Sequence, residues 1–443
     1  MRPDAIIVGA GCAGLAAAAV LAARGAKVRL LEAARAPGGR ARSFVDPLTG
    51  DVEDNGQHLV IGCYESFLRF TSRTGGSAAI AFEPRLEVVM LRPGGGRATF
   101  RPAALPSPFG LLAGLARLDG FPLRDLATAR AVARDVRSGG PRARGMTVAA
   151  WLASLGSSRA GRSVLWDPLT LAALNLDPET APASLLAEVV RRALLGGPSA
   201  SRLGFPSRGL DAVIAAPAAR YLGERRGEIL LGKLVERLET GHDGRFEAAV
   251  CRDGSRHEGG AAVVAVPPRA AAGLLPPGAS DFGAERARSL GASPIVGVHL
   301  WFDREVADRS MSGLLGSPVH WVFDRGRIGG ARPPGYLSLV RSAAFDWIER
   351  GRDEIVRTAT EEVRRFFPGS RGAALVRSRV IKEREATARF TPDNLASRPK
   401  AETAVPNLVL AGDWTDTGLP ATLEGAAASG ERAAALIERP GGC

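Results

Sequence analysis

The run AIIVGAGCAGLAAAAVLAARGAKVRLLE, residues 5–32, restricts the possible folds more than any other part of the chain. Four apolar residues at 5–8 predict a buried strand, the alanine-rich run after them predicts a helix, and a second apolar run ending at Glu32 predicts another strand. Gly9, Gly11 and Gly14 stand between the first strand and the helix, which gives GxGxxG in the context where it has meaning. Gly9 permits a tight turn, Gly11 lets the backbone approach a pyrophosphate, and Gly14 lets the helix pack closely on the strand. The helix N-terminus then meets the phosphates with unpaired N–H groups and a favourable dipole. Glu32 lies 18 residues beyond Gly14, at the end of the second strand, where a carboxylate accepts hydrogen bonds from ribose hydroxyls. A dinucleotide-binding βαβ unit in an α/β fold is therefore expected at the start of the chain.

The same region, residues 5–23, is apolar enough to imitate a membrane span or signal peptide. It follows MRPD rather than a basic leader and is interrupted by the spaced glycines, so both readings are set aside. At 443 residues the chain exceeds the usual size of one domain, and two domains are expected. The net charge of +12 raises the question of nucleic acid. Only Lys27, Lys233, Lys382 and Lys400 are lysines; the remaining basic residues are arginines spread along the chain, with no basic run interleaved with aromatics. No nucleic-acid partner is expected, whereas positive charge of this kind favours contact with anionic lipid. Cys12, Cys63, Cys251 and Cys443 are far apart and form no CxxC pair, which suits a reducing, cytoplasmic setting. His58, His242, His257, His299 and His320 are equally dispersed, and no metal site is expected.

After Glu32 the sequence continues LEAARAPGGRARSF, with Gly38, Gly39 and Arg40. Three later segments follow in order: FPSRGLDAVIAAPAARYLGERRGEILLGKLVERLE, then AAVVAVPP, then NLVLAGDWTDTGLPATLEGAAASGERAAALI. Together they resemble the flavin-dependent amine oxidase and carotenoid desaturase superfamily, and the resemblance implies bound FAD. It places Gly39 and Arg40 along the pyrophosphate and Val235 where the backbone contacts adenine. It also places Gly412, Asp413 and Leu423 near the ribityl chain or flavin ring, at a helix starting near Thr422. One departure is visible: Arg208 before Gly209 interrupts the usual double glycine.

Residues 54–58 read DNGQH at the entrance of the apolar run LVIGCY. Asn-Gly is a strong turn signal, and the resemblance brings Gly56 to the flavin, with Gln57 and His58 lining its face. The turn and the active-site wall are compatible readings. The implied architecture is a Rossmann-like FAD-binding domain from residues 1–80, 205–290 and 395–443, with a discontinuous α+β substrate domain from 81–204 and 291–394. Residues 105–136 combine apolar residues, prolines and arginines at loosely helical spacing. Such a stripe serves either as core or as a surface segment dipping into lipid beside a tunnel mouth.

Superfamily amine oxidases usually carry a lysine near the flavin on a substrate-domain strand, and an aromatic before the final E-G-A as one wall of a cage. Here GASPIVGVHLWFD has no lysine, and ATLEGA offers Thr422 and Leu423. A cage suits a cationic substrate; this site suits an apolar one. EDNGQHLVIGCY, LAGDWTDTGLPATLEGA and KEREATARFTP together resemble the hydroxysqualene dehydroxylases of squalene and hopanoid biosynthesis, essentially end to end. That likeness implies reductive removal of a hydroxyl from an apolar isoprenoid. His58 is the expected proton donor, as an imidazolium available near neutral pH, with Asp54 orienting it and Gln57 bonding the hydroxyl. No second nicotinamide fingerprint is visible, so an external electron donor is expected, and peripheral membrane contact fits the apolar substrate. The alternatives are an oxidative desaturase of the carotenoid or phytoene type and a non-enzymatic lipid-binding escort on the same fold.

Overall fold

In the computed structural model, residues 2–47, 50–276, 284–329 and 335–437 are described; Cys443 lies outside them. A five-stranded sheet takes strands from three distant parts of the chain, in the order Glu228–Leu231, Val28–Glu32, Ala5–Val8, Ala261–Val264, Leu408–Leu410. Every pairing in it is parallel. The central strands Ala5–Val8 and Ala261–Val264 are buried throughout, as expected for a parallel sheet covered on both faces. The alanine-rich helix Cys12–Ala23 is explained by its surroundings. It packs between this sheet and the helix Leu423–Leu436, and small side chains let the two helices approach closely. The apolar N-terminal run is thus a strand and a buried helix. Among the described residues no helix is long and apolar enough to cross a membrane.

A second, seven-stranded sheet runs in the order Leu375–Arg389, Gly291–Phe302, Tyr336–Arg341, Trp321–Asp324, Met311–Leu314, Val88–Leu91, Arg97–Phe100. It is antiparallel except where Met311–Leu314 meets Val88–Leu91. One face carries the amphipathic helix Arg352–Phe366, which buries Ile355, Ala359, Val363 and Phe366. Toward the other lie the helices between residues 109 and 194. The run 105–136 forms two of these, Phe109–Ala116 and Asp125–Arg137.

The two large sheets are tied together by shorter ladders. Ile80–Phe82 and Val60–Ile61 both pair with Leu203–Pro206. The division expected at 80/81 and at 204/205 therefore runs through strands that are paired with each other. A hairpin, Ser43–Val45 with Val52–Asp54, is held to the long strand Leu375–Arg389 by ion pairs. Arg377 and Arg379 each meet both Asp46 and Glu53, whose side chains are wholly buried.

Candidate active site

The first turn of the parallel sheet forms a cradle. The helix Cys12–Ala23 begins directly after Gly11. A Cβ on Gly14 would stand 2.0 Å from the Gly9 carbonyl oxygen, so only glycine allows this contact between helix and turn. At Gly11 a Cβ would meet nothing within 4 Å: the backbone there faces open cavity. Glu32 accepts from the amides of Ala10 and Ala34, both at 2.8 Å, fixing the turn from the side where a ribose would lie. Gly38 donates to the Ala10 carbonyl at 2.8 Å, and Val235 completes the wall. Open space at Gly11, amides at a helix N-terminus and an acid at the end of the second strand fit the diphosphate and ribose of a dinucleotide.

Arg40 and Asp413, expected to act separately on the cofactor, form an ion pair of 2.7 Å in the cavity wall. The other terminal nitrogen of Arg40 donates to the Ala386 carbonyl at 2.8 Å. Asp413 holds the guanidinium in its charged form, outweighing the opposing effect of burial. Beside them Gly412 leads toward the helix Leu423–Leu436, which Thr422 caps by accepting from the Gly425 amide at 3.2 Å. The Cys12 thiol points at the Leu423 carbonyl, 3.8 Å away, so two helix N-termini converge on one cavity.

The DNGQH strip runs along this cavity, with Asn55, Gly56, Gln57 and His58 all in the wall. Asn55 donates to the Arg40 carbonyl at 3.0 Å and to Glu383 at 3.3 Å. His58 donates through Nδ1 to the Gly56 carbonyl at 3.0 Å, because a carbonyl only accepts, and Nε2 carries the lone pair when the ring is neutral.

Asp54 does not line the cavity, and among the described residues its carboxylate makes no hydrogen bond to His58, on which it acts only through its charge. Its carboxylate accepts from Ser43 Oγ at 2.7 Å, the Leu210 amide at 2.9 Å and Arg325 at 2.9 Å. The other Arg325 nitrogen donates to the Gln57 side-chain oxygen, while Gln57 Nε2 donates to the His58 carbonyl at 3.1 Å. Gln57 is thus engaged at both ends of its amide before any hydroxyl arrives. The ionisation expected of His58 also needs correction. Burial pulls it below the ordinary imidazole range and Arg40 acts in the same direction, against the Gly56 carbonyl and Asp54. At neutral pH this shift favours the uncharged ring.

From this strip a cavity of about 1190 Å³ continues without interruption into an apolar chamber walled by residues such as Met90, Phe100, Leu165, Leu169 and Phe323. The strand Gly291–Phe302 contributes Ile295 and Gly297, and its neighbour contributes Ile381 and Glu383. Lys382, between those two, points away and donates to the Arg350 carbonyl. Tyr64, next to Thr422 in the lining, is pushed up in pKa by burial and stays a neutral phenol.

Arg325 and Glu383 were not singled out from sequence. One charged residue among many scattered arginines and glutamates carries no local signal, and only the folded chain brings these two to the strip.

Comparison with known proteins agrees with this geometry. The family model described as flavin containing amine oxidoreductase matches residues 12–438. A hydroxysqualene dehydroxylase of Rhodopseudomonas palustris is 31% identical, over 97% of this chain and 97% of that protein. Another, of Sinorhizobium fredii, is 33% identical over 98% of each. A 15-cis-phytoene desaturase of Capsicum annuum is 24% identical over 98% of this chain and 77% of its own length. The crystal structure of an oxidoreductase from Methanosarcina mazei superimposes with a TM-score of 0.77 at 17% identity, covering 98% of this chain and 99% of that one. The chain therefore belongs to the flavin-containing amine oxidoreductase family and is an FAD-dependent oxidoreductase.

Proposed function

We propose that this enzyme removes the hydroxyl of hydroxysqualene reductively to give squalene. The observation that carries the reading is that one cavity is lined by the glycines and acid of a dinucleotide cradle, by a short polar strip ending in His58, and by many apolar side chains. The full-length similarity to two hydroxysqualene dehydroxylases supports it. Hydroxysqualene plus two electrons and two protons gives squalene and water. When bound, reduced FAD supplies the two electrons. Gly9, Gly11, Gly14, Glu32, Gly39, Arg40, Gly56, Val235, Gly412, Asp413 and Leu423 are proposed to hold it, and the division of the chain into cofactor and substrate parts given above belongs to the same proposal.

The protein's own contribution is position, dryness and a proton. Apolar walls align an isoprenoid chain and keep water from an allylic cation, which forms when the C–O bond breaks. His58 is proposed to pass a proton to the departing oxygen through Nε2. Its depressed pKa makes the imidazolium a stronger donor, present in a smaller fraction of molecules. An external donor renews the electrons, and a membrane surface is the proposed setting for so apolar a substrate.

The test is to reduce the holoenzyme anaerobically, add hydroxysqualene, follow flavin absorbance and extract the lipid. Return of oxidised-flavin absorbance together with squalene is expected. The similarity to phytoene desaturase favours one alternative, oxidative desaturation of a polyene. That reaction would instead bleach oxidised flavin with substrate alone, and untouched alcohol beside persistently reduced flavin would bring it forward.

A further inference from the structure

A second cavity, of about 590 Å³, lies between the helices Phe109–Ala116 and Asp125–Arg137. Its interior is apolar, with Leu111, Leu112, Leu115 and Val132 among its walls. Phe100, Leu165 and Leu194 line both this cavity and the large one, so three side chains form the partition between them.

The surface around the second cavity has two unusual properties together. Leu105, Phe109 and Leu123 are 54%, 63% and 68% exposed; Phe109 lines the cavity, and the other two lie just before the first of its helices and just before the second. Arg117, Arg124, Arg130, Arg134 and Arg137 are exposed on the same two helices and their connection, and none of them has an ion-pair partner among the described residues. Nearby acids do not balance them. Asp119 is paired with Arg92, while Asp125 and Asp135 are buried and bonded to Ser158 and Trp151. Cationic headgroup-seeking residues around exposed leucine and phenylalanine are the pattern of a segment lying in a bilayer interface, with arginine stems reaching outward as the apolar tips go in. Binding to nucleic acid would use the arginines and has no need of the exposed apolar side chains.

We propose that this face docks on an anionic lipid bilayer, and that the second cavity is the port by which an apolar chain passes from the bilayer, past Phe100, Leu165 and Leu194, into the main cavity. Leu105, Phe109 and Leu123 enter the acyl region, and the arginines meet anionic headgroups. The port rests on the reading of the substrate as an isoprenoid; the docking does not.

The test uses the full-length holoenzyme and vesicles of phosphatidylcholine with or without phosphatidylglycerol, separated by sedimentation. Binding to the phosphatidylglycerol vesicles is expected. The triple variant Arg130→Glu, Arg134→Glu, Arg137→Glu should weaken it by roughly 100-fold or more, and Phe109→Ser with Leu123→Ser should also weaken it, while FAD absorbance and circular dichroism stay unchanged. Vesicle binding indifferent to both variants would overturn the docking, as would arginine-dependent binding to duplex DNA that survives loss of the apolar pair while vesicles are ignored. For the port, vesicles carrying squalene are mixed with the holoenzyme, which is then re-isolated and extracted. Leu112→Trp should cut squalene uptake at least tenfold while leaving vesicle binding intact; equal uptake would remove the port. Neither readout depends on turnover, so failure of the dehydroxylase reading and failure of this inference are distinguishable.

Discussion

Arg325 and Asp54 form an ion pair of 2.9 Å in which the two side chains are only 1% and 3% exposed. Arg325 opens the short helix Arg325–Gly329 that follows the sheet strand Trp321–Asp324; its guanidinium reaches the strip beside the cofactor cradle, and its second bond fixes the Gln57 amide. Removing Asp54 takes from the buried Arg325 guanidinium the carboxylate it bonds. Asp54→Asn is expected to cost about 3–5 kcal/mol, measured by chemical denaturation of the apoprotein. The double variant with Arg325→Met should cost less than the sum of the two single changes, because it removes both charges.

His58 carries the clearest pH prediction. A proton donor is active when protonated, so turnover by pre-reduced enzyme should fall as pH rises through its pKa. Burial lowers that pKa from 6.5, which puts the midpoint of the fall on the acid side of that value. His58→Ala should keep FAD, slow turnover by roughly 10²–10⁴-fold and abolish this limb of the profile. An unchanged rate and profile would remove His58 from the reaction.

Gly11 and Gly14 should respond oppositely to alanine. At Gly11 the new methyl enters open cavity, so the apoprotein should melt within a few degrees of the parent while FAD is lost on gel filtration. At Gly14 the methyl would collide with the Gly9 carbonyl, and the apoprotein itself should lose about 1–3 kcal/mol or more. Thermal denaturation without cofactor, followed by FAD retention, separates the two.

Acid stability should depend on His320. Burial and the neighbouring Arg341, 2.6 Å away, lower its pKa from 6.5 to about 3 in the folded protein. The unfolded chain therefore takes up the proton first on acidification. Its contribution to stability is present above pH 6.5 and drains away as pH falls toward about 3. His320→Gln should shift the acid-denaturation midpoint to lower pH; an unmoved midpoint would assign the transition to other groups.

The cofactor half was legible in the sequence because its signals are local. Strand, spaced glycines, helix and Glu32 fall within 28 consecutive residues, and the structure forms each element where the pattern put it. The other half was not, because its sheet joins Val88–Leu91 to Met311–Leu314, strands more than 200 residues apart with no pattern that announces the pairing. The same distinction applies within the strip. Its position on the cavity wall followed from the family resemblance, whereas the partners of Asp54 are set by Ser43, Leu210 and Arg325, which converge only on folding. The lowered pKa of His58 was missed for a similar reason, since desolvation depends on everything packed around the ring.

The 15-residue strand Leu375–Arg389 has a mechanical consequence. It is paired along the length of Gly291–Phe302, its Arg377 and Arg379 grip the buried acids of the hairpin, and its Ala386 carbonyl takes a bond from Arg40. Swinging the two large sheets apart would break these attachments together, in a region where separated charges are costly. The strand therefore acts as a tie-beam. If the substrate is the long isoprenoid proposed above, its exchange is expected to depend on local movement of side chains and short helices rather than on a hinge between the two sheets.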